Sequence, residues 1–245
     1  MTQTLLNGFD IGLKTSSLTK ASDVKIKNSR KYLFSYDGLN KLFGSGIVKG
    51  MTFTLSAEAG CGKTTFLLQT LEDYKTKHRH HKVAFLSNEE SQEQLAEKCK
   101  RLGVRKIDIA HASDIEFILN TIENYDFVVI DSLQGIKGAN EKAVISNIVS
   151  VAKKNKCCVG VITHRTKDDK EKGDSAIGHI VDTCFHMHQI HSNLTTNRKV
   201  CIRSSKNRFG ALGYITSEMA DSGFEMYLTE NFFQNFTEDV LHEIL

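Results

Sequence analysis

Nine consecutive residues, Ala57-Glu58-Ala59-Gly60-Cys61-Gly62-Lys63-Thr64-Thr65, have the order and composition of a loop that grips phosphate. Against the pattern G-x-x-x-x-G-K-[ST], Gly62, Lys63 and Thr64 match, and Ala57 stands where the first glycine usually sits. Glycine there permits a positive φ as the chain leaves a strand, whereas alanine fits if the backbone stays in the β or α region. In such a loop, successive backbone N–H groups and a helix N-terminus converge on phosphate oxygens. Lys63 would reach the β- and γ-phosphates, and the Thr64 hydroxyl would bind Mg²⁺. The residues therefore point to a nucleoside triphosphate.

Hydrolysis of a triphosphate needs a second acidic group for the metal and a further group for the attacking water. Asp131, closing the apolar run Phe127-Val-Val-Ile-Asp131, is placed to hold Mg²⁺ through a coordinated water. Glu89 and Glu90 follow another strand-like run; Glu89 is favoured as the base, with Glu90 the alternative. Either carboxylate could instead serve only as negative charge near the start of a helix. His164 ends a third run, where it would sense the γ-phosphate and signal into the charged stretch 165–173.

These groups need a frame that brings strand ends to one edge. The phosphate loop is preceded by the strand-like run 51–56 and followed by Leu67, Leu68 and Leu71 at helical spacing. Strands are expected at 82–87, 106–110, 126–131 and 157–163, with a helix over 91–101 opened by the capping box Ser91-x-x-Gln94. Ser113-x-x-Glu116 is expected to cap a further helix, and Val144, Ile145, Ile148, Val149 and Ala152 mark another. Alternation of this kind gives an α/β fold with a mostly parallel, doubly wound sheet. Past residue 178, short strands near 180–188, 198–204, 212–217 and 224–228 read as an antiparallel extension of that sheet. Residues 1–30 are polar and weakly periodic, a tail or linker, and glycines at 38, 44, 46 and 50 punctuate the entry to the core.

The chain has 245 residues, enough for one domain with short appendages. Its 40% apolar and 25% charged content is that of an ordinary globular protein. No run approaches the roughly 20 apolar residues of a membrane span, and the N-terminus lacks secretory-signal features. The six cysteines form no C-x-x-C pair, so a reducing, cytoplasmic setting is expected. The formal charge of +3 does not by itself announce nucleic acid. His186 and His188 could share a strand face, but an exposed strand end is the expectation; the 78–81 histidine and arginine run reads as a helix C-terminus.

Several stretches in order resemble the ATPase core of the bacterial RadA/Sms family, within the RecA-like superfamily and related to DnaB-type helicases. They are residues 44–50, the phosphate loop, 85–95, 101–104, 128–132, 179–183 and the element Lys206-Asn207-Arg208-Phe209-Gly210, the family hallmark. The resemblance covers about residues 36–228 and implies a RecA-like P-loop NTPase core there, with 1–35 a tail or linker and 229–245 a short C-terminal tail. The family's zinc module and Lon-like domain are not expected within this sequence. The implied cofactors are ATP and Mg²⁺. The implied activity is an ATP-driven motor, a homo-hexameric ring, that acts on single-stranded DNA in recombination, repair or replication. It implies that Lys206 and Arg208, two apart on a strand and so on one face, complete the site of a neighbouring subunit. Lys167, Lys170 and Lys172 are the expected contacts to the DNA backbone. A different class of function fits the same core: a nucleotide-controlled assembly module such as a helicase loader, recombination mediator or KaiC-like regulator.

Overall fold

Burial on both faces explains the central strands. Every residue of Phe127–Asp131, of Thr52–Ala57 and of Val83–Ser87 is buried. Residues 127–130 and 83–86 are the continuous apolar runs this condition favours, whereas Thr52, Thr54 and Ser56 alternate with apolar residues in the other strand. The computed structural model describes residues 18–23, 30–137, 140–164, 173–190 and 198–225. In chain order the elements are β1 (Lys31–Tyr32), α1 (Asp37–Leu42), β2 (Ile47–Val48), β3 (Thr52–Ala57), α2 (Lys63–Lys77), β4 (Val83–Ser87) and α3 (Gln92–Leu102). There follow β5 (Asp108–His111), α4 (Ile115–Asn124), β6 (Phe127–Asp131), α5 (Glu141–Asn155), β7 (Cys158–His164) and α6 (Gly173–Ile180). The chain continues through β8 (Thr183–Ile190), β9 (Arg198–Asn207), β10 (Tyr214–Ala220) and β11 (Gly223–Phe224).

The main sheet has the order β11-β10-β9-β8-β3-β7-β6-β4-β5. From β8 to β5 neighbouring strands are parallel; β9, β10 and β11 extend it antiparallel. The expected architecture is therefore present. On one face α1, α2 and α3 bury Leu39, Leu68 and Leu95 with Phe53 and Phe185. On the other, α4 and α5 bury Ile118, Ile122, Ile145 and Ile148 with Val128 and Val159. Helices on both sides keep water away from a sheet whose strand ends then carry the polar chemistry.

Four local features differ from the sequence reading. The strand expected at 106–110 runs Asp108–His111. Asp114 caps α4, its Oδ2 accepting from Phe117 N at 3.1 Å, one residue after Ser113. A helix, α6, precedes β8 where no helix was expected, and the strand expected near 180–188 begins only at Thr183; Gly173 and Gly178 lower the helical signal. Packing also begins upstream of residue 36: β1 pairs with β2, and Phe34 is fully buried. The Ser91–Gln94 capping box does open α3, with both reciprocal bonds formed.

Candidate nucleotide site

The phosphate loop links the end of β3 to the start of α2. Ala57 is the buried last residue of β3, in extended backbone, so the absent first glycine has no positive φ to supply. Gly62 caps the helix in the left-handed region, at φ 91°. A Cβ there would lie 2.7 Å from Met219 Sδ and 2.9 Å from Phe224 Cζ, so the far hairpin β10–β11 presses directly on the loop. Gln69 secures that hairpin, donating to Phe224 O and accepting from Phe224 N. Glu58, Ala59 and Gly60 are exposed, Cys61 is buried, and Thr65 lies half-buried in the first turn of α2.

Lys63 is buried and folds back onto its own loop, donating to the Ala57 and Glu58 carbonyls at 3.1 Å each. Burial lowers its pKa, partly offset by the negative groups around it. The Thr64 hydroxyl donates to Asp131 Oδ2 at 2.7 Å. Asp131 is 2% exposed. Burial pushes its carboxyl up, the Thr64 bond pulls it back, and the charges of Glu89 and Glu90 raise it further.

Parallel register brings the rest to the same edge: Ala57 lies level with His164, and Ser87 with Asp131. Just beyond β4, the Glu89 and Glu90 amides both donate to Ser87 Oγ, turning the chain. Glu89 Oε1 lies 2.7 Å from His164 Nε2. Burial raises the Glu89 carboxyl, but the nearby Ser132 hydroxyl, His164 and the Lys63 charge outweigh it and hold it below the usual range. The Ser132 hydroxyl makes this contact without the geometry of a full hydrogen bond. Glu90 instead pairs with Lys98 of α3.

Asn88 escaped the sequence reading. Its amide accepts from Ser132 N at 3.2 Å and donates to Ser132 O at 2.6 Å, while Asn88 N donates to Asp131 O. Gly135 makes room, since a Cβ there would fall 1.9 Å from Asn88 Oδ1. An Asn directly after a strand, beside a Glu pair, was the only available signal. His186 also departs from expectation: it is buried, bridging Ser56 Oγ at 2.7 Å and Ser205 Oγ at 2.6 Å.

Lys206 and Arg208 lie at the opposite edge. Lys206 pairs with Cys184 and Asn207 with Thr183, at the start of β8, which is level with Phe53. Four residues of strand, roughly 13 Å, separate that level from Ala57. The strand ends at Asn207, so Arg208 does not continue the expected alternation. The two cations still meet on one feature, the C-terminus of α6: Lys206 Nζ donates to Gly178 O and Val181 O at 2.6 Å, and Arg208 Nη2 to His179 O at 3.4 Å. Lys167, Lys170 and Lys172 lie outside the described residues.

Residues 35–123 match the family model described as "ATPase: KaiC". The "DNA repair protein RadA" of Rickettsia typhi is 32% identical over 203 residues, 76% of this chain and 44% of that protein. The RadA of Mycobacterium tuberculosis is 29% identical over 212 residues, covering 80% and 43%. The chain carries a RadA-like ATPase core of the RecA fold. This RadA-like core spans under half the length of the curated relatives it matches. Two solved structures share its fold: the KaiC-like protein PH0186 of Pyrococcus horikoshii and the flagellar accessory protein FlaH of Methanocaldococcus jannaschii. The first has a TM-score of 0.63, 19% identity and coverage of 80% of this chain and 98% of that one. For FlaH the TM-score is 0.66 at 11% identity, covering 82% and 100%. Among the described residues, no helix is long and apolar enough to cross a membrane.

Proposed function

We propose that this core is an ATP-hydrolysing motor acting on single-stranded DNA, assembled so that each nucleotide lies between two copies of the chain. Residues 36–228 are assigned as the motor core, with β1 and Phe34 packed onto it from upstream. The observation that carries the reading is the separation of the two edges. The phosphate loop, Asp131, Glu89 and His164 share one edge, while Lys206 and Arg208 sit at the other.

The described residues fit a Mg²⁺-bound triphosphate. Thr64 and Asp131 supply adjacent hard oxygen donors, and α2 presents the N-terminus of a fifteen-residue helix. Lys63 holds only neutral carbonyls, which a phosphate would outcompete. Bound Mg²⁺, held by Thr64 and through water by Asp131, would neutralise charge on the β- and γ-phosphate oxygens. Lys63 and the loop amides would bind those oxygens. Glu89, ionised and oriented by His164, would accept the proton of the water attacking the γ-phosphorus, leaving ADP and phosphate. Glu90, paired with Lys98, is the less suitable base. Lys206 and Arg208 would stabilise charge in the neighbouring copy's site. Lys167, Lys170 and Lys172 are the proposed DNA contacts, through phosphates and hence salt-sensitive.

The test is ATP turnover with and without single-stranded DNA, run beside a mass measurement of the nucleotide-loaded protein. Faster turnover on DNA and an assembly larger than the monomer, with six copies the expected number, support the motor. Nucleotide-dependent assembly with no DNA effect would select the regulator or loader reading instead. Recombination or replication proteins are the proposed partners in either case.

A further inference from the structure

Asp182 is the buried group on which the far edge converges. Its side chain is 4% exposed. Oδ2 accepts from Thr52 N at 3.1 Å and Thr52 Oγ1 at 2.9 Å; Oδ1 accepts from Arg208 Nη1 at 3.1 Å and Lys153 Nζ at 3.2 Å. The main chains join as well: Asp182 N donates to Thr52 O at 2.9 Å, and Arg208 N to Asp182 O at 3.1 Å. One oxygen is thus fixed by the first residue of β3, the other by cations. Burial disfavours the charged carboxyl, but the Thr52 and Lys153 bonds outweigh burial and keep it ionised.

Arg208 is held differently. Its side chain is 49% exposed, and its contact with Asp182 uses one nitrogen rather than the two of a bidentate fork. This contact, together with the Nη2 bond to His179 O at 3.4 Å, sets the direction of the guanidinium and leaves its remaining N–H donors for an incoming anion. A pair serving burial alone would enclose both partners. Here the carboxylate is enclosed and the cation presents outward.

We propose that Asp182 is a positioning residue for hydrolysis, holding Arg208 pre-aimed at the triphosphate of the neighbouring copy, with Thr52 fixing Asp182 in turn. The proposal rests on the reading that Arg208 acts in trans. A positioning group works by removing the need to orient a reacting partner during the reaction, and misplacement by about 1 Å loses about 100-fold in rate.

The test is Asp182→Asn, which keeps the size and one acceptor oxygen, replaces the other oxygen by a donor NH2, and removes the charge. Turnover at saturating ATP is expected to fall roughly 10- to 100-fold, with KM for ATP within about twofold of wild type. Mixed assemblies separate positioning from general damage. Mixed with Lys63→Ala, which keeps a sound Arg208, Asp182→Asn should regain turnover; mixed with Arg208→Ala, it should not, because neither copy then supplies the cation. If instead the Arg208→Ala mixture is rescued, or the Lys63→Ala mixture is not while Arg208→Ala with Lys63→Ala is, the proposal is overturned. Failure of the Arg208→Ala and Lys63→Ala mixture itself would remove the trans reading, and the Asp182 role with it. Should Asp182→Asn not fold, Thr52→Val is measured in the same mixtures. It is expected to show a smaller fall of about threefold or more with the same rescue pattern, and wild-type turnover would contradict the proposal.

Discussion

The Thr64 hydroxyl donates to the Asp131 carboxylate at 2.7 Å, joining the first turn of α2 to the end of β6. Two elements distant in sequence, each chosen by its own apolar pattern, thereby place two hard oxygen donors side by side at the mouth of the phosphate loop.

Asp131 sets function against stability. Burial raises its carboxyl in the folded state. A raised folded carboxyl means that the ionised form opposes folding above the folded pKa, and that this opposition is relieved as pH falls through it. Asp131→Asn removes the charge at every pH. Turnover is expected to drop roughly 100-fold or more, while the melting temperature at neutral pH stays equal or rises. Steady-state ATPase and thermal unfolding on the same samples check both halves; a clear fall in melting temperature would contradict the account.

Glu89 and His164 are tested by pH. The neighbours of Glu89, after outweighing burial, hold its carboxyl below the usual range. A lowered folded pKa makes the ionised form present down to more acid pH and lost only as pH falls through that lowered value. Glu89→Gln should reduce turnover by about 100-fold or more while nucleotide still binds. His164→Ala should release Glu89 upward, moving the acidic limb of the pH–rate profile to higher pH. An unmoved limb would separate His164 from the base.

Gly62 is tested by adding one carbon. Its φ of 91° lies in the left-handed region, and a Cβ would press on Met219 and Phe224. Gly62→Ala should destabilise the chain by about 1–3 kcal/mol and weaken nucleotide binding. Adding Phe224→Ala to it relieves the ring contact but not the backbone strain, so unfolding measurements should show only partial recovery.

What the sequence revealed follows from how local each cause is. The phosphate loop, the buried run ending at Asp131 and the Ser91–Gln94 capping box are written in consecutive residues, and each was legible. The hydrogen bonds of Asn88 to Ser132 and of Asp182 to Thr52 join residues 44 and 130 positions apart, and no local pattern announces them. His186 was misread for the same reason. Its burial depends on Ser56 and Ser205, from the strands on either side of β8. Lys206 and Arg208 were legible as a pair through the family element alone; their place at the far edge required the register of β8 against β3.

The central claim is that one copy grips the triphosphate and another completes its site. Lys63→Ala should abolish tight ATP binding, and Arg208→Ala should keep binding but lose roughly 1,000-fold in turnover. The decisive measurement is the ATPase rate of the two inactive variants mixed and allowed to assemble together. Restored turnover that rises with the fraction of mixed neighbours is expected. A mixture as inactive as its components, although mass measurement shows that the copies co-assemble, would contradict it.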